Sequence, residues 1–104
     1  MSWLVLILSG ALEAVWATAL GRSEGFSKPV PTVVFAVALV ASTGGLALAM
    51  RGLPVGTAYA VWVGVGAVLT VLVAVVTGAE ALTLAKGVCL LLIVAGVVGL
   101  KLAH

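Results

Sequence analysis

The stretch WLVLILSGALEAVWATAL, residues 3–20, decides how the chain is read. It is long enough to cross a bilayer as a helix, and it carries one charge, Glu13, part-way along. At about 1.5 Å of rise per residue, Glu13 stands roughly 15–17 Å from Ser2, near the centre of a hydrocarbon layer about 30 Å thick. A carboxylate is costly there, so it is protonated, faces a wet cavity or holds a cation. Moving or sensing a proton or a cation is the work that such a residue suggests.

The rest of the chain has the same character. Of its 104 residues, 64% are hydrophobic and only 8% are charged, which places it in the integral-membrane class. Four apolar segments, residues 2–20, 30–50, 55–77 and 85–102, are each long enough to span as a helix. Little chain is left for a nucleotide-binding or soluble enzymatic domain, so the work must be done inside the bilayer. The first segment lacks a basic start and has Glu13 in its apolar run, so it reads as a retained span rather than a signal peptide. The single cysteine, Cys89, allows no intrachain disulfide and reads as a small packed thiol. A net charge of +2 is too small to suggest nucleic acid.

The connections are short. Residues 21–29 hold much of the polar content, with Pro29 and Pro31 suited to the first turn of the second helix. Residues 51–54 make a tight second turn, and residues 78–83 a third, with Thr83 placed to cap the fourth helix. Such loops predict an all-α, up-down-up-down bundle of antiparallel neighbours. The N-terminus, second loop and C-terminus then share one side, with Arg51 and Lys101, while Arg22, Lys28 and Lys86 lie on the other. Three basic residues against two do not fix an orientation. Either the chain inserts both ways, which permits an antiparallel homodimer, or a partner subunit supplies the opposite topology.

A wet cavity needs walls on all sides, and four small helices supply them poorly, which favours a dimer. The fourth segment offers Gly87, Cys89, Ala95, Gly96 and Gly99 for close helix approach, so Gly87, Cys89 and Gly96 are candidate dimer-interface positions. Against this, glycine is common in membrane helices generally.

Around the acid, Leu6, Gly10, Glu13 and Ala17 form one helical stripe, with Trp16 beside it. Gly10, one turn below Glu13, reads as the residue that leaves space for the carboxylate. Arg22 is nine positions on, roughly 13 Å along the axis, so Glu13 has no local partner. Tyr59 and Trp62, spaced i, i+3 in the third segment, carry polar tips that can donate to a carboxylate and ring faces that suit a cation. They also fit an interfacial aromatic belt, as Trp3 does. Gly64 and Gly66 read as a bend in a moving helix. Ser42, mid-way along the second segment, either bonds a carbonyl of its own helix or donates towards Glu13. No nucleophile–base pair or metal-ligand cluster is present, and the lone histidine, His104, is the final residue. Neither an enzyme nor a cofactor or metal site is expected.

Taken together, these residues resemble the small multidrug resistance family of four-helix transporters, over essentially the whole chain. The resemblance is carried by Leu12-Glu13-Ala14-Val15-Trp16-Ala17, by Leu53-Pro54-Val55-Gly56-Thr57-Ala58-Tyr59-Ala60-Val61-Trp62, and by Gly99-Leu100-Lys101. Trp16 and the Lys101 ending look like the guanidinium-exporting branch rather than the branch that exports bulky quaternary ammonium compounds. The chain departs from that branch at Gly21-Arg22, where lysine and an aromatic are frequent, and at Cys89 in the glycine-rich fourth-helix seam. The resemblance implies an antiparallel, dual-topology homodimer in the bacterial plasma (inner) membrane. It also implies that Glu13 is the shared proton and substrate site, lined by Gly10, Trp16, Ser42, Tyr59 and Trp62. The expected activity is proton-coupled export of guanidinium and small substituted guanidinium ions. Export of hydrophobic quaternary ammonium compounds, a proton or cation channel, and a non-transporting membrane subunit are the competing readings.

Overall fold

Four helices account for almost the whole of the computed structural model, which describes residues 2–103; His104 lies outside the described residues. They are α1 (Ser2–Arg22), α2 (Pro29–Ala49), α3 (Val55–Val76) and α4 (Leu84–Ala103). Each is long and apolar enough to cross a membrane. α2 begins at Pro29, whose missing N–H is one that a helix start leaves unbonded in any case. The Thr83 hydroxyl accepts a bond from the Lys86 N–H at 3.2 Å and so caps the start of α4. The first connection turns through three successive residues of positive φ, Glu24, Gly25 and Phe26. Buried Ser23 holds that turn: its hydroxyl donates to the Leu20 carbonyl at 2.7 Å and accepts from the Phe26 N–H at 3.2 Å.

Two contacts show that the helices alternate in direction. Gly52, in the second connection, lies against the Ser2 hydroxyl. The Lys101 ammonium, near the end of α4, stands 5.7 Å from the centre of the Trp3 ring. The start of α1, the second connection and the end of α4 therefore share one end of the molecule.

Packing departs from the expected bundle of sequential neighbours. α1 is the central helix, with α2 and α3 both packed on it and touching each other far less. α4 packs mainly on α3, reaches α1 through Lys101 over the Trp3 ring, and has no fully buried residue. The result is a slab whose Cα atoms extend only 17 Å in the thinnest direction. Its apolar core, Leu6, Leu46, Ala49, Leu53, Ala58, Val61 and Trp62, sits where α1, α2 and α3 converge. The outer faces of α2 and α4, including Val30, Val40, Leu91 and Leu102, are exposed, as surfaces solvated by lipid chains are.

Candidate functional site

Glu13 lies on the central helix and is half-buried. Its Oε2 is enclosed and has no hydrogen-bond partner among the described residues. Neither of the ion pairs among those residues involves it: Lys28 pairs with Glu24 and Lys86 with Glu80, each at 3.1 Å. An unmatched acceptor in such a place costs on the order of 1–3 kcal/mol, so it stands ready for a proton or a donor.

The glycine that makes room for this carboxyl is on α3. A Cβ on Gly66 would collide with the Glu13 Cδ and stand 2.6 Å from Oε2. Gly10, expected to serve that purpose, does something else. A Cβ there would meet the Val65 Cβ at 2.9 Å and the Trp62 carbonyl oxygen at 3.2 Å, so Gly10 sets how closely α1 and α3 approach. Gly64 and Gly66, read from the sequence as a bend, are contact points. Gly64 receives Val97 and Ile93 of α4, and Gly66 receives the acid.

Ser42 takes neither of the two roles expected of it. Its hydroxyl donates across to the Ser9 carbonyl of α1 at 2.7 Å and accepts the Trp62 indole N–H of α3 at 3.1 Å. One buried side chain thus ties three helices together one turn away from Glu13 along α1. Ser9 completes the junction: its own hydroxyl donates to the Val5 carbonyl at 2.7 Å and lies against Gly45 of α2. With its donor held by Ser42, Trp62 does not bond the carboxylate. Tyr59 leans on the Trp62 ring, with centroids 5.8 Å apart and planes at 36°, and is itself 54% exposed.

Trp16 meets α2 edge-on through Phe35, with centroids 6.0 Å apart, and Phe35 meets Phe26 of the first connection at 5.6 Å. The Trp16 Nε1 is enclosed and, like the Glu13 Oε2, unbonded among the described residues. An unmatched donor and an unmatched acceptor therefore lie one turn apart on α1.

Sequence reasoning missed Gly66 as the carboxyl's neighbour, Ser9 as the partner of Ser42, and Phe35 as the partner of Trp16. Ser9 alone left a signal, a polar residue at i−4 from the acid in an apolar span. Of the candidate interface positions on α4, Gly87 is half-buried beside a groove between α3 and α4, while Cys89 and Gly96 are exposed. Among the described residues no group of three or more His, Cys, Asp or Glu side chains is placed to hold a metal ion.

Comparison with known proteins adds to this geometry. The family model described as Small Multidrug Resistance protein matches residues 1–93. A guanidinium exporter of Yersinia pseudotuberculosis is 48% identical over 99% of both chains. One of Escherichia coli K12 is 46% identical over 99% of this chain and 98% of its own, and one of Proteus vulgaris is 43% identical over 99% of both. The relatives' names are those of transporters.

Proposed function

We propose that this chain, which belongs to the small multidrug resistance family, exports guanidinium and small substituted guanidinium ions in exchange for protons. It is a multi-pass membrane protein, of the inner membrane in bacteria. The observation that carries the reading is the enclosed Glu13 Oε2, unbonded among the described residues, at the middle of an apolar helix in a chain whose relatives are named guanidinium exporters. A planar guanidinium presents N–H donors in its plane and matches the two carboxylate oxygens through short charge-assisted bonds. Protonating the acid removes those acceptors and releases the cation, so proton and substrate compete for one group.

In this reading the transporter is an antiparallel homodimer, with Glu13 of both subunits facing one cavity. The outer face of α4, with Cys89 and Gly96, is free for a second copy. Two identical chains of opposite orientation exchange equivalent inward- and outward-facing states, as inverted repeats do. Trp16, Tyr59 and Trp62 bound the substrate's space, and Ser42 holds Trp62 in place.

A second reading, export of quaternary ammonium ions, draws on the exposed Tyr59 face, since aromatic faces attract cations that have no N–H to give. Flux through reconstituted vesicles separates the two. Guanidinium should be moved under an inward proton gradient and compact tetra-alkylammonium ions poorly, because a polar site left unmatched rejects such analogues. Glu13→Gln should be folded and inactive. Wild-type flux in a folded Glu13→Gln sample would overturn the coupling mechanism, and preference for tetra-alkylammonium would overturn the substrate assignment alone.

A further inference from the structure

A groove of about 550 Å³ opens on the side of α1 away from Glu13, between α1, the start of α2 and the second half of α3. Ala11, Val15, Val34, Leu69 and Val73 are among its walls, and Arg22 stands at one end. None of Glu13, Trp16, Ser42, Tyr59 or Trp62 lines it. At about 100° per residue, its α1 residues lie at least roughly 100° around the helix from Glu13. The groove is therefore separate from the candidate transport site.

Its length and its charge both fit one kind of occupant. From Ala11 to Arg22 the helix rises about 16 Å, close to the roughly 15 Å depth of one leaflet's hydrocarbon. Mid-helix Ala11 and terminal Arg22 place the groove from mid-bilayer to the membrane face. At that face Lys28 is paired with Glu24, and Lys86 with Glu80, whereas Arg22 has no ion pair among the described residues. Its guanidinium is the cation left to meet an anion arriving from the bilayer. The groove between α3 and α4 is an internal comparison. It is of similar size, about 640 Å³, is walled by residues such as Leu72, Leu84 and Leu91, and has no charged residue in its lining.

We propose that the groove under Arg22 binds one anionic phospholipid, its phosphate on the Arg22 guanidinium and one acyl chain lying along Val15, Val34 and Leu69. A planar guanidinium engages phosphate oxygens in pairs, and basic positions between membrane helices recognise acidic headgroups. The groove between α3 and α4 takes acyl chains without regard to headgroup.

Native mass spectrometry of the full-length purified protein, released from vesicles of equal parts phosphatidylglycerol and phosphatidylcholine, tests this. The wild type should retain phosphatidylglycerol over phosphatidylcholine by about five-fold, the effect expected of one basic residue at a membrane surface. Arg22→Gln should abolish that preference, Arg22→Lys should keep part of it, and Arg51→Gln, at the opposite end of the molecule, should leave it unchanged. Val34→Trp fills the groove at a half-exposed position and should remove the tightly held lipid whatever its headgroup, with Val15→Trp as the second variant if the first does not fold. Equal retention of both lipids, or equal losses from Arg22→Gln and Arg51→Gln, would overturn the proposal. So would Val34→Trp changing the oligomer mass with lipid retention intact, which would assign the groove to a second copy. Displacement of the lipid by guanidinium would also overturn it, by making the groove part of the transport site.

Discussion

Gly66 of α3 lies against the carboxyl of Glu13 on α1, so close that a Cβ at position 66 would stand 2.6 Å from Oε2 and 2.7 Å from the acid's own Cβ. Gly66→Ala should therefore push the carboxyl off its present position while the helix keeps its form, alanine being the better helix former by about 1 kcal/mol. One charge-assisted hydrogen bond to a substrate is worth about 1.5–3 kcal/mol, so losing it should weaken guanidinium binding about ten-fold or more. Binding titration beside a thermal melt checks this, with affinity expected to fall and the melting temperature to fall too, because the Glu13 Cβ cannot swing aside as the carboxyl can.

Gly10→Ala should lower stability while sparing the acid, which is not among its nearest contacts. Its Cβ meets the α3 main chain at the Trp62 carbonyl as well as Val65, and backbone cannot swing aside as a side-chain tip can. Overpacking of this kind costs about 1–3 kcal/mol, more than the helix preference returns. The melt should drop, and substrate affinity measured on the folded fraction should change less than in Gly66→Ala.

Ser42→Ala removes the donor to the Ser9 carbonyl and the acceptor of the Trp62 N–H together. Interhelical hydrogen bonds in membranes average about 0.6 kcal/mol, so two of them should cost about 1 kcal/mol of stability. The sharper readout is Trp62 itself. Freed from Ser42, its indole should show altered fluorescence and greater access to a quencher, whereas Ser42→Thr should retain the wild-type signal.

Orientation is the fourth prediction. With three basic residues at one face and two at the other, single-cysteine labelling in a Cys89→Ser background should reach about half the molecules from outside. Cys89 is exposed and has to be replaced first. Complete labelling or complete protection would require a fixed topology, and with it a different partner.

The four spans were legible because uninterrupted apolar runs and short polar breaks have few other solutions, and Glu13 because an acid has no bland reason to sit in one. Packing was less so. Antiparallel neighbours were expected from loop length, yet the tight turn through Arg51 and Gly52 joins two helices that flank α1 instead of each other. A turn fixes where a helix begins, not what its side faces. The same limit hid the pairing of Gly66 with Glu13. Two small residues, Gly10 and Gly66, were both visible, but which of them faced the acid depended on the rotation of α3 about its own axis. Ser42 was visible mid-way along its span, and its two partners on other helices could not be read from that span.

That no residue of α4 is fully buried separates two thermodynamic processes in this molecule. The cradle around Glu13 is built by three helices of one chain and should be indifferent to dilution. Pairing through α4 would instead follow mass action in two dimensions. A membrane with few copies of this chain would then hold well-folded, idle protomers. Expression level, by setting the protein-to-lipid ratio, would act as the control on export, with no change in the acid's surroundings.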